Sequence, residues 1–249
     1  MKIIKLISIF LILSLSFLEN VEGTNRKKEW KVRKSTHFNI YYKEAPNQYI
    51  DKVLKIAEDY YDTITNDLSF RRFDFWSWNK RCKIYLYPFK KEYQKVTGRP
   101  FWPGATADIK KREIRTFIFQ KNFLEMALPH EMAHLIFREF VGYRTSLPLW
   151  LDEGAACFEE KISKERRLKL ARRLIKRRKF LSLEELVNIN SKNLILPEYF
   201  YAEAASVIDF LFKKYGKEKF IKFCRSLRDR ENWLKAFKKK FMDSKVFLR

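Results

Sequence analysis

The chain has 249 residues, 46% hydrophobic and 16% aromatic, with a formal net charge of +23. That apolar content is ample for a packed core, while six glycines, seven prolines and the lack of Ser/Gly-rich stretches or internal repeats exclude linker-joined and repeat architectures. Three cysteines allow at most one disulfide, which excludes a disulfide scaffold, and the charge favours anionic partners such as lipid headgroups, cell-wall polymers or nucleic acid without choosing among them.

Lys2 and Lys5 precede the apolar run Leu6 to Leu18, and Val21-Glu22-Gly23 offers a point of cleavage. This is the layout of a signal peptide over residues 1–23, or of an uncleaved anchor. The rest of the chain is therefore expected outside the cytoplasm, secreted or associated with the cell envelope. Residues 1–23 carry two lysines and two glutamates, so cleavage leaves the charge unchanged.

Thr36 to Tyr42 alternates and is rich in β-formers, which predicts a strand. Ile50, Val53, Leu54, Ala57, Tyr61, Ile64 and Leu68 recur at helical spacing, which predicts a helix over 47–68. A second strand is expected at Cys82 to Tyr87, stopped by Pro88, then a short helix at Lys90 to Thr97 and a turn-rich loop from Gly98 to Gly104. Glu113 to Gln120 alternates well enough for a third strand. From Asn122 onward the pattern is helical, with segments expected at 150–160, 164–178, 182–189, 199–214, 217–228 and 231–240. Pro129 predicts a helix start or kink at that point rather than one continuous helix from Phe123.

Directly after Pro129 comes His130-Glu131-Met132-Ala133-His134, an H-E-x-x-H pattern that uses two of only three histidines in the chain. On a helix, residues four apart lie nearly above one another, so both imidazoles reach one side and can share an ion. Glu131 lies about 60° around the helix from His134, close to a shared ion without stacking on the ligands. That position suits a general base. Catalytic zinc takes three protein ligands. A histidine six residues beyond His134 would complete one known pattern, but Phe140 occupies that place, and His37 belongs to a distant strand. Glu139 points to the opposite side of the helix. Glu153, in Leu149-Trp150-Leu151-Asp152-Glu153-Gly154-Ala155-Ala156, is the best third ligand, because a carboxylate among apolar and small residues calls for a compensating charge. Asp152 competes for that role and suits a supporting or capping one better. The cysteines show no metal-ligand spacing and are expected as buried free thiols.

His130-Glu131-x-x-His134 followed by Trp150-Leu151-Asp152-Glu153-Gly154-Ala155 resembles the gluzincin metallopeptidases, in particular the compact peptidase-MA-like domains. The resemblance covers roughly residues 35–225. It implies an α+β, zincin-like fold: a small N-terminal mixed sheet, then metal-binding helices and a helical C-terminal part. By this reading residues 24–160 hold the core and site, and 161–249 form a basic helical part packed on it. It implies His130, His134 and Glu153 as ligands of Zn2+ and Glu131 as base. Gly104 to Ala107 resembles the edge strand that lines such clefts, and Phe200-Tyr201-Ala202-Glu203 resembles a later helix of these domains. Two features depart from the pattern. The position four residues after the ligand glutamate, often acidic in such enzymes, is Cys157, and no tyrosine is assigned by spacing as oxyanion stabiliser. Tyr201 aligns best, Tyr199 less well, and a core tyrosine fits position 201 equally.

The expected activity is zinc-dependent hydrolysis of a peptide or protein, with Glu131 taking the proton of a metal-activated water. The strand at Glu113 to Gln120 is expected to bind substrate as an added strand. The alternative is a catalytically inert module on an anionic envelope surface, suggested by eleven basic residues between Lys161 and Lys179. No segment resembles a standard nucleic-acid-binding motif.

Overall fold

The structure, a computed structural model, describes residues 29–70, 76–98, 104–194 and 196–242. The expected leader at 1–23, with its apolar run Leu6 to Leu18, lies outside the described residues, as do positions 99–103 of the expected loop. Five strands form one mixed sheet: β1 (Lys31–Lys34), β2 (Phe38–Tyr42), β3 (Cys82–Tyr87), β4 (Ala105–Asp108) and β5 (Glu113–Phe117), in the order β1-β2-β3-β5-β4. β2, β3 and β5 run parallel, and each outer strand is antiparallel to its neighbour. The parallel steps are made by crossovers that include α1 (Asn47–Asp67) after β2 and α2 (Lys90–Thr97) after β3. In register, Ile40, Ile84 and Ile114 lie side by side across the three parallel strands, and all are fully buried. One apolar row thus anchors the sheet face on which the helices pack.

This order corrects one expectation. β5 is hydrogen-bonded on both sides, to β3 and β4, so the strand at Glu113 to Gln120 has no free edge for a substrate. Among the described residues the free edge on that side belongs to β4. β5 also stops at Phe117, because Phe119 turns into the left-handed region with φ 57°.

The helical part follows as α3 (Leu128–Val141), α4 (Leu149–Glu159), α5 (Lys161–Lys176), α6 (Leu183–Asn188), α7 (Pro197–Arg228) and α8 (Trp233–Phe241). A π-helical turn, Phe123–Ala127, leads into α3 at Leu128, and Pro129 stands in the first turn of α3 where a backbone N–H has no intrahelical acceptor. The two helices expected at 199–214 and 217–228 form α7, which kinks where Gly216 takes φ 77°. The architecture is α+β, a small mixed sheet followed by helices.

α3 buries Leu128, Met132, Ala133, Leu135, Phe137, Phe140 and Val141 and contacts β4, β5, α1, α4 and α7. Burying nearly its full circumference fixes its rotation, so its histidines face a defined direction. α4 packs on α7 at the distance a glycine allows. A Cβ on Gly154 would stand 2.6 Å from the Ala204 carbonyl oxygen and 3.0 Å from Ile208 Cγ1. Glu153, next in sequence, takes its position from that close approach. Cys82, Cys157 and Cys224 are free and buried, as expected.

Candidate metal centre

His130 and His134 project from one side of α3, and Glu153 reaches them from α4. The two Nε2 atoms are 3.1 Å apart, and each is 3.5 Å from Glu153 Oε2. A tetrahedral ion with bonds of about 2.0–2.1 Å holds its donors about 3.3 Å from one another. The three donors therefore already form the triangle that such an ion requires. Two imidazoles and a carboxylate also make a borderline donor set suited to Zn2+. All three side chains are largely buried, with exposures of 19%, 13% and 19%.

Each imidazole is held from behind. Asp152 Oδ1 accepts from His134 Nδ1 at 3.3 Å, while Arg138 donates to Asp152 Oδ2 from Nε at 2.9 Å. Arg138 Nη1 also donates to the Thr145 carbonyl at 2.9 Å. On the other side, Glu160 Oε1 accepts from His130 Nδ1 at 2.9 Å. Arg167 grips the same carboxylate from Nη2 at 2.9 and 3.0 Å and from Nε at 3.2 Å. A carboxylate that accepts at Nδ1 turns Nε2 toward Glu153, and in the neutral ring it selects the tautomer whose Nε2 lone pair is free for an ion.

The electrostatics follow from this packing. Burial alone would lower the His134 pKa, but Asp152 and then Glu153 outweigh it and lift it to about 10. For His130, hydrogen bonds to Cys157, Glu153 and Glu160 overcome burial and raise it well above the ordinary imidazole value. Burial opposes ionisation of Glu153, yet the two histidines beside it hold its carboxyl far below the usual range. The cluster thus favours positive charge between its acidic groups.

Glu131 is half-buried on the same helix and has no hydrogen-bond or ion-pair partner among the described residues. Tyr201 comes from α7, packed against Phe200 and with Arg167 5.4 Å from its ring centre. Burial, and then the Glu153 carboxylate, push its phenol up to about 12, so it is a neutral donor near this carboxylate. Its hydroxyl has no hydrogen-bond partner among the described residues. Tyr199 instead lines an apolar groove with Leu181 and Leu194, whose walls include none of the clustered histidines and carboxylates. The third histidine, His37, stacks on Tyr61 at 4.0 Å and bonds Glu58 at 2.6 Å, apart from the centre.

Asp152 thus supports His134, the role its place beside Glu153 suggested. Glu160, Arg167 and Arg138 were missed. Spacing carries a signal only for Arg138, four residues after His134 on the same helix, because Glu160 stands at the non-helical junction of α4 and α5 and shares a helix face with neither Glu153 nor Arg167. Sγ of Cys157, a ring nitrogen of His130 and a Glu160 oxygen lie within 4.8 Å of one another. Glu160, three residues beyond Cys157 and just past the end of α4, thus brings a carboxylate to His130.

The family model of the Peptidase MA superfamily matches residues 77–242, two thirds of the chain. No curated protein matches it.

Proposed function

The chain belongs to the Peptidase MA superfamily, and from that premise we propose that it is a zinc-dependent peptide hydrolase in which His130, His134 and Glu153 bind Zn2+ and Glu131 is the general base. The observation that carries this reading is the His130–His134–Glu153 triangle, with edges of 3.1, 3.5 and 3.5 Å. When bound, zinc supplies a water acidified toward neutrality and a Lewis acid for the scissile carbonyl.

The chain's own residues do the rest. Asp152 and Glu160 hold the imidazoles at Nδ1, and Arg138 and Arg167 hold those carboxylates, so the donors need no rearrangement on binding. Glu131, with no internal partner, accepts the proton of the attacking water and passes it to the leaving amine. The Tyr201 hydroxyl, kept protonated by burial and Glu153, donates to the oxygen that gains charge. The unpaired edge of β4, which packs beside α3, accepts an extended peptide as a further strand, giving backbone register to a peptide or protein substrate. We place the enzyme outside the cytoplasm, secreted or at the cell envelope, on the strength of the apolar run Leu6 to Leu18.

Metal analysis combined with cleavage of a mixed peptide library tests this reading. Wild type is expected to carry one zinc per chain and to cleave; Glu131→Gln should keep the zinc and lose about 100-fold or more of the rate. Undiminished cleavage by the zinc-loaded variant would overturn the assignment of the base, and absence of bound zinc would overturn the whole reading.

A further inference from the structure

At the C-terminal end of α3, away from the histidines, lies a cleft of about 1040 Å³. Three segments far apart in sequence converge on it: the β4–β5 turn with Lys110, the α3–α4 connection with Arg144 and Ser146, and the α7–α8 turn with Arg228, Arg230 and Asn232. Gly142 at its rim is eight residue steps beyond His134, about 12 Å at the helical rise. The cleft is thus distinct from the metal centre.

Its charge is one-sided. Lys110, Arg144 and Arg230 form no ion pair among the described residues, and the single carboxylate in the lining, Glu231, has Lys239 at 3.9 Å. Neutral donors are also uncommitted: among the described residues Ser146 Oγ has no partner, and Asn232 spends its Oδ1 on the Leu234 and Lys235 amides while its Nδ2 makes no hydrogen bond. Gathering like charges from three separate turns costs free energy through their mutual repulsion, and a bound anion would remove that cost. Guanidinium forks match the paired oxygens of a phosphate group, and the cleft has room for more than one.

We propose that this cleft binds a ligand bearing two or more phosphate groups. The same chemistry is offered by a soluble polyphosphate and by the phosphates of an anionic lipid surface, and the two are separable by experiment. Inorganic tripolyphosphate is titrated into the zinc-loaded full chain by calorimetry, and sedimentation with phosphatidylglycerol vesicles is measured in parallel. Arg144→Gln with Arg230→Gln is compared with Lys176→Gln with Arg177→Gln, an exposed pair on and just after α5 that removes the same charge elsewhere.

The cleft pair is expected to weaken tripolyphosphate binding by about tenfold or more, and the control pair to leave it nearly unchanged. Zinc content and melting temperature should stay at wild-type values in both. A matching selective loss of vesicle binding identifies the lipid surface as a source, and a loss confined to tripolyphosphate identifies the soluble ligand. Absence of saturable tripolyphosphate binding, or equal weakening by both pairs, would overturn the proposal, since either result reduces the effect to net charge.

Discussion

Glu160 Oε1 accepts a hydrogen bond from His130 Nδ1 at 2.9 Å, although Glu160 belongs to the link between α4 and α5 and His130 to the first turn of α3. Arg167, on α5, holds the other side of the same carboxylate. The orientation of one candidate ligand therefore depends on a helix that itself contributes no ligand. Glu160→Gln retains the shape but offers a weaker acceptor to Nδ1–H, and zinc affinity is expected to fall about 10- to 100-fold. Competition with a chromophoric chelator measures this directly. Unchanged affinity would mean that His130 is oriented by its packing alone.

Arg138 joins three things: the Asp152 carboxylate, the Thr145 carbonyl and, through Asp152, His134 Nδ1. Asp152 is only 12% exposed, and His134 and then Arg138 hold its carboxyl below the usual range against the opposing effect of burial. Arg138→Met leaves the buried Asp152 carboxylate with His134 as its remaining cation and one oxygen without its donor, for which the expected loss is about 1–3 kcal/mol of stability. Urea unfolding of the metal-free chain isolates that loss from zinc binding. A double variant, Arg138→Met with Asp152→Asn, should recover part of it, because the buried charge is then gone.

Gly154 is where the packing of α4 on α7 meets the metal centre. An added methyl would fall 2.6 Å from the Ala204 carbonyl, which is backbone and cannot rotate away. Gly154→Ala should therefore destabilise the chain by about 1–3 kcal/mol despite the better helix propensity of alanine, and lower its melting temperature by several degrees. The same displacement moves Glu153, so weaker zinc binding is expected alongside. A neutral or stabilised variant would show that α4 can shift outward without cost.

How much of this could be read in advance depended on whether a buried face leaves a period in the chain. Cys82–Tyr87 alternates buried and half-buried residues for most of its length, and its ends agree with the alternation seen in the sequence. β1 leaves no such trace: all four residues of Lys31–Lys34 are exposed, so the strand is held by its pairing to β2 and not by a buried face. Ala105–Asp108 is short, small and polar with no period of its own, so the family resemblance alone marks it as the edge strand, and its pairing with β5 places it there. At the candidate metal centre the histidines stand out by their four-residue spacing and Glu153 by its apolar and small neighbours. The Glu160–Arg167 pair becomes visible only once α5 folds back to bring Arg167 against the end of α4, a tertiary contact no local pattern encodes.

Glu159 supplies a test of the packing that does not involve the metal. It is 6% exposed, its Oε1 has no hydrogen-bond partner, and burial, with a smaller push from Asp67, raises its pKa from an ordinary 4.5 to about 8; Lys164 and Lys217 oppose the rise. Below pH 4.5 the carboxyl is protonated in both the folded and unfolded chain and does not bias folding. Between pH 4.5 and about 8 the unfolded chain releases a proton that the folded chain keeps. Stability therefore falls as pH rises through this window, by at most about 1.4 kcal/mol per pH unit from this group. Above the folded value the loss is complete. Glu159→Gln has no proton to release, so its stability should decline less than that of wild type between pH 5.5 and 8.5, with the gain over wild type largest at the upper end. Urea unfolding of the two proteins at both pH values gives the difference. Parallel declines would mean that Glu159 ionises in the folded chain as readily as in the unfolded one, and that water reaches it between α4 and α5.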